Sequence, residues 1–168
     1  MEKTLQDILA EDLKILFIGF NPGLYSAEIG HYFAHKNNKF WDLLYQSDLT
    51  PKRLDPREDW SMLSLRYGLT DIVKRPSKGI SELKKKEYTC GKIRLRKIIE
   101  KYKPKIACYL GIGVYKEFTG RKEVELGLQG SSQVEGVLDF VAPSPSGLNM
   151  IPFQEKLYYF KQLRSLLN

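Results

Sequence analysis

An open, mostly parallel α/β sheet with helices on both faces is the fold this sequence predicts, on three observations. Near-continuous apolar runs of strand length recur at Lys14–Phe20 (KILFIGF), Lys105–Leu110 (KIACYL) and Val137–Ala142 (VLDFVA). Stretches with apolar residues three and four apart, the helical spacing, separate them. Each run ends in a turn rich in glycine or proline, at the carboxyl end of its strand, where sheets of this class bind their ligands.

The elements follow in order. Leu5, Ile8 and Leu9 fall on one helical face and predict a short opening helix, after which the first strand runs into Asn21-Pro22-Gly23. Residues 24–37 carry no clean period. Asn38 suits the N-cap of a helix with Phe40, Trp41, Leu44 and Tyr45 on one side. Asp55-Pro56 opens another, with Glu58 and Asp59 in its first turn, where acids complement the helix dipole, and Gly68 past its end. A long helix carries Ile98, Ile99 and Tyr102 until Pro104, which lacks the N–H a helix needs, stops it. Ile112–Phe118 makes a short helix closed by Gly120. The final helix places Phe153, Leu157, Phe160 and Leu167 on a shared face.

A chain of 168 residues is about one domain, 1–168, and its 42% hydrophobic and 28% charged content excludes a disordered or fibrous protein. The net charge of +7 points toward a polyanionic partner such as nucleic acid. That excess is local: ten basic residues and only two acids lie between Lys84 and Lys105. It reads as a solvated helix face that flanks any nucleic-acid footprint. Cys90 and Cys108 are the only cysteines, so neither a zinc ribbon nor an iron–sulfur cluster has its ligands. His31 and His35 stand four apart, but no third ligand or HExxH context accompanies them, so no metal and no cofactor is expected. The polar N-terminal stretch MEKTLQDILAEDLK lacks an apolar signal or membrane span, and a cytoplasmic, monomeric protein with no membrane partner is expected.

The loops carry the chemistry. By themselves Asn21-Pro22-Gly23 and Pro143-Ser144-Pro145-Ser146-Gly147 are ordinary turns, and Phe33 is a core aromatic. No GxSxG elbow, phosphate loop or dinucleotide glycine fingerprint is present, which removes the commonest α/β enzyme classes. Together, however, three segments resemble a known family. They are Leu16–Ala34 (LFIGFNPGLYSAEIGHYFA) continuing to Trp41, Tyr67–Pro76 (YGLTDIVKRP), and Ala142–Asn149 (APSPSGLN). In this order they resemble the motifs of the mismatch-specific uracil/thymine-DNA glycosylases, in the uracil-DNA glycosylase superfamily, over nearly the whole chain.

The resemblance implies a glycosylase that flips a damaged nucleotide into a pocket and hydrolyses its N-glycosidic bond. It makes Asn21 the residue that orients the attacking water. An amide accepts a hydrogen bond from water but is no useful base at neutral pH, so slow chemistry follows. It also implies that Phe33 lies against the flipped base, that Phe20 offers main-chain groups to the base edge, and that Ser26 lines the pocket. Relatives that exclude thymine place a tyrosine at the position of Gly23, so glycine there opens the 5-position of the pyrimidine. Asp71 falls at the pocket edge, with capping or pairing to Arg75 as the other reading. Leu148 is the apolar wedge that fills the gap left by the flipped base, flanked by Ser146, Gly147 and Asn149 as contacts to the duplex. Lys74, Arg75 and Lys78 are the expected backbone contacts. Ser144 departs from the asparagine usual in the bacterial mismatch-uracil enzymes and matches the thymine-DNA glycosylase type. The expected partner is double-stranded DNA with a mismatched or deaminated base. Two rivals stay open: a deaminated-purine glycosylase on the same fold, which would differ at Asp71 and Ser144, and a non-catalytic nucleic-acid-binding domain.

Overall fold

The structure is a computed structural model that describes residues 3–168; Met1 and Glu2, which begin the polar N-terminal stretch, lie outside the described residues. Five strands form one sheet in the order β2-β1-β3-β5-β4. They are β1 (Ile15–Gly19), β2 (Tyr67–Asp71), β3 (Ile106–Leu110), β4 (Gly127–Leu128) and β5 (Leu138–Ala142). β2, β1, β3 and β5 are mutually parallel, and only β4 pairs antiparallel, on β5. The helices are α1 (Leu24–Ile29), α2 (Phe40–Gln46), α3 (Lys85–Tyr102), α4 (Ile112–Thr119) and α5 (Phe153–Ser165), with 3-10 turns at Pro56–Leu65 and Ile80–Glu82. Among the described residues no helix is long and apolar enough to cross a membrane.

The apolar runs read as strands because both of their faces are buried. Ile15 and Phe17 of β1, Ile106 and Cys108 of β3 and Phe140 of β5 pack with α2 and α5. Their neighbours Leu16, Ile18, Ala107, Tyr109 and Val141 pack with Leu95 and Ile99 of α3 and Val114 and Phe118 of α4. Alternate residues of one strand therefore feed two separate cores, which is why the sequence runs apolar without alternating.

Two expectations are corrected. Residues 4–10 are extended rather than helical: the Ile8 N–H donates to the Leu69 carbonyl and the Leu69 N–H donates back, both at 2.9 Å. The segment thereby covers the open edge of β2, where backbone groups would otherwise lack partners. Gly68 does not follow a helix end. The 3-10 turn over Pro56–Leu65 closes at Arg66, in the left-handed region at φ 62°, and Gly68 lies inside β2. A Cβ on Gly68 would stand 2.8 Å from the Ile8 carbonyl oxygen, so the covering segment requires glycine there. β2 itself was not visible as a strand because Gly68, Thr70 and Asp71 dilute its apolar character, although all five residues are buried. The 2-residue β4 and the short α1, in the stretch without a clean period, were also unanticipated.

Gly91 shows how tightly α3 sits on the sheet. A Cβ there would meet the Ile72 carbonyl oxygen at 2.0 Å, and backbone cannot swing aside as a side chain can. Gly91→Ala adds about 1 kcal/mol of helix propensity but forces α3 off the sheet, at a cost of about 3 kcal/mol. We expect a net loss of stability, read as a lower urea midpoint at unchanged slope; a raised midpoint would contradict the packing distance.

Candidate active site

Strand order places the site. From β1 the chain moves outward to β2, then returns past β1 to β3 and on to β5, so the loops after β1 and β3 diverge and leave a crevice at their carboxyl ends. A cavity of about 520 Å³ occupies it, within the range of small-molecule pockets. Phe20, Asn21, Phe33, Asp71, Ser144 and Leu148 all line it, brought together from four separate stretches of chain.

Asn21 is held by its amide nitrogen. Nδ2 donates to the Arg75 carbonyl at 2.9 Å and to Ser77 Oγ at 2.8 Å. The carbonyl can only accept, which fixes the orientation of the amide. The Ser77 hydroxyl donates in turn to the Gly79 carbonyl at 2.9 Å, so its oxygen is the acceptor toward Asn21. With both N–H groups of Asn21 engaged, its Oδ1 is the atom left to accept a hydrogen bond inside the cavity. The loops that carry these residues are zipped together: Ile72 and Val73 donate to the Gly19 and Phe20 carbonyls, and Ser77 N–H donates to the Pro22 carbonyl at 3.1 Å.

Phe33 forms an apolar wall. Its ring lies on Phe40, centroids 4.1 Å apart. Its backbone is in the left-handed region at φ 51°, a conformation that costs a side-chain-bearing residue about 1 kcal/mol. Flanking hydrogen bonds hold it there: Tyr32 N–H donates to buried Asp59, and Ala34 N–H donates to Ser26 Oγ at 3.0 Å. Ser26, expected to line the pocket, stands beside it: its hydroxyl accepts next to Phe33 and it is not among the residues that line the cavity. His31 is likewise explained by Asp59, whose Oδ1 is 3.1 Å from His31 Nδ1. Among the described residues no three His, Cys, Asp or Glu side chains gather as a metal site would need.

Gly23 is exposed, and a Cβ built on it would have no heavy atom within 4 Å. Space for a larger residue exists at its position, though Gly23 itself does not line the cavity. Phe20 turns its ring toward Tyr88 and Gly113, while its carbonyl accepts from Val73. Asp71 is 2% exposed at the end of β2, and its Oδ2 is buried without a hydrogen-bond partner. Burial raises its pKa to about 7, Lys74 and Arg94 lower it and Asp7 raises it. Arg75 closes its guanidinium on Glu87, at 2.6 and 3.1 Å, and thereby holds the Glu87 carboxyl down at about 2. Lys74 donates to Asp7 at 2.9 Å. Lys78, by contrast, is exposed at the cavity.

The loop after β5 presents apolar side chains to solvent: Leu148 is 84% and Met150 92% exposed. Ser146 Oγ accepts from Leu148 N–H, Asn149 N–H donates to the Ser146 carbonyl, and Asn149 Oδ1 accepts from Ile151 N–H. A Cβ on Gly147 would fall 2.8 Å from the Asn37 carbonyl oxygen, so this loop lies directly on residue 37. Beneath it, buried Lys156 donates to the Ser146 and Asn149 carbonyls at 3.4 and 3.5 Å, either side of Leu148. Desolvation, with repulsion from Lys39, lowers its pKa.

Sequence reasoning missed Ser77, Met150 and Lys156. Ser77 lies one residue beyond the second matching segment, Tyr67–Pro76. Lys156 had a visible signal, a cation on the apolar stripe of Phe153, Leu157 and Phe160.

Two comparisons bear on the fold and the family. A protein from Methanosarcina acetivorans, provisionally described as a uracil DNA glycosylase and known from its solution NMR structure, superposes with a TM-score of 0.64. The match has 20% identity over 97% of this chain and 98% of that one, a likeness of fold. Residues 6–168 match the model of the family described as the Uracil DNA glycosylase superfamily. Members of that family are DNA glycosylases, hydrolases that act on DNA, and the chain, with its Asn21-bearing cavity at the switch point of the sheet, belongs to the uracil-DNA glycosylase superfamily.

Proposed function

We propose that the protein is a monofunctional DNA glycosylase that removes uracil, and other deaminated or 5-substituted pyrimidines, from mispairs in double-stranded DNA. The observation that carries this reading is the Asn21 amide, both of whose N–H groups are anchored, which leaves its oxygen to accept within a cavity roomy enough for a base. In a mere nucleic-acid-binding domain nothing would require that oxygen to be so aligned.

The lesion nucleotide leaves the stack and enters the cavity, with its base against Phe33. Water hydrogen-bonded to Asn21 Oδ1 attacks C1′ as the bond to the base breaks and its electron pair leaves with the base; the water proton goes to solvent. Asn21 positions this water without accepting its proton, so most of the barrier is met by the leaving tendency of the base and by dipoles around it. Phe20 and Ser144 supply polar groups at the rim, and Ser26 keeps Phe33 in place. With glycine at position 23 no side chain there can exclude a 5-substituent, which leaves selectivity to ease of flipping, greatest at a mismatch. Leu148, aided by Met150, wedges into the vacated stack while Ser146, Gly147 and Asn149 meet the duplex. Lys78 serves as a backbone contact; Lys74 and Arg75, engaged with Asp7 and Glu87, shape the strand end behind it.

The test is a set of duplexes, each with a single uracil, thymine, hypoxanthine, xanthine or ethenocytosine, assayed for alkali-labile abasic sites. Cleavage is expected at uracil opposite guanine, with weaker cleavage at thymine. Abasic sites only at hypoxanthine or xanthine would transfer the protein to the purine class, and none on any duplex would leave a binding domain.

A further inference from the structure

Among the described residues the Asp71 carboxyl is the one acid that lines the cavity, and its surroundings are unusual. It is buried, its Oδ2 lacks a partner, and its Oδ1 lies against Gly19, where an added Cβ would approach to 2.5 Å. Glycine at position 19 is therefore what leaves the carboxyl room at the cavity floor. Its backbone carbonyl, not its side chain, receives Arg94. The nearby cations are committed elsewhere: Lys74 and Arg94 both donate to Asp7, at 2.9 and 2.7 Å. A buried carboxylate without a partner is costly, and a negative charge beside a departing base anion would oppose the reaction. A neutral acid has neither fault.

We propose that Asp71 meets the flipped base as a neutral carboxylic acid, donating its O–H to a base oxygen and accepting the adjoining ring N–H. The inference rests on the glycosylase reading above and names the edge that its pocket selects. A carboxylic acid places one donor and one acceptor side by side, the complement of a C=O next to an N–H. Uracil and thymine present that edge, as do hypoxanthine and xanthine; ethenocytosine, whose ring closes over the N–H position, does not. As the C1′–N bond breaks, charge builds on the base oxygen and the hydrogen bond from Asp71 strengthens, which makes it selective for the transition state. Asp71 keeps its proton throughout, and the base leaves as the anion.

Sign follows directly. The neutral form is the active one, so activity is full below the Asp71 pKa of about 7 and falls as pH rises through it. The groups that face Asp71 are Lys74 and Arg94, which favour ionisation, and Asp7, which opposes it. Buried Tyr32 also senses the Asp71 charge, and its own pKa is raised far out of range.

Single-turnover excision of uracil from a G·U duplex by the full chain, followed from pH 6 to 8.5, is expected to fall about 30-fold with an apparent pKa near 7. Asp71→Asn, a neutral donor at every pH, should show a flat profile over this range, whatever its absolute rate. Free uracil as product inhibitor of the wild-type protein should also weaken over the same window, a reading that needs no variant. A wild-type protein active on uracil with a flat or rising profile overturns this inference alone. So does an Asp71→Asn profile that falls as the wild type does. No uracil excision at any pH overturns the glycosylase reading and this inference with it.

Discussion

Asn21→Ala is expected to lose uracil excision by about 100- to 1000-fold while still binding a G·U duplex. The size follows from the role proposed for Asn21, a fixed acceptor for the nucleophile, whose removal would leave the water unoriented but the rest of the pocket intact. Folding should survive. The lost hydrogen bonds are those to the Arg75 carbonyl and Ser77 Oγ, in a half-buried place that water reaches, so the stability change is about 1 kcal/mol. Asn21→Asp sharpens the test. A carboxylate cannot donate to the Arg75 carbonyl, so the residue gains basicity but loses its anchor. Recovery of activity in the aspartate variant would show that proton acceptance rather than orientation limits the rate. Full activity in Asn21→Ala would end the assignment of this residue to water.

Leu148→Ala is expected to reduce excision from duplex DNA by about 10- to 100-fold and to leave single-strand excision nearly unchanged. At 84% exposure Leu148 contributes nothing to the core, so the variant should melt with the wild type. Its apolar area is buried only when it enters the stack, where a leucine side chain is worth about 1.5–3 kcal/mol, the range that corresponds to the expected fold-change. On a single strand no stack has to be parted. Met150, exposed two residues on, should make a Leu148→Ala/Met150→Ala double variant weaker still on duplex. Equal losses on both substrates would remove the wedge role and place Leu148 in base binding instead.

Much of this was legible locally. The first, second and third apolar runs became β1, β3 and β5, because parallel strands with helices on both faces are apolar at most positions rather than at alternate ones. Asn21, Phe33, Ser144 and Leu148, named from loops far apart in sequence, do converge on one cavity, because those loops all follow strands that end on the same side of the sheet. The errors have a common character. Leu5 and Ile8 have helical spacing, yet the need of the β2 edge for backbone partners draws them into an extended segment. Ser26 sits within a matching motif, yet its hydroxyl is claimed by Ala34. Lys74 and Arg75, expected as backbone contacts, have Asp7 and Glu87 beside them, partners that no local pattern announces.

By itself, then, the sequence determined most of the strand and helix alternation and the loops that meet at the cavity, since apolar runs and turn residues express their preferences over a few neighbours. Only the tertiary structure decided which hydroxyl anchors Asn21, why Phe33 can hold a left-handed backbone and how a carboxyl at residue 71 comes to lie buried at the cavity floor. Each of these depends on partners that folding alone brings together, such as the Ser77 hydroxyl against Asn21 and the Asp71 side chain against Gly19. Whether a polar group there is charged, neutral, donor or acceptor is set by burial and by those distant partners, and no local pattern of residues encodes it.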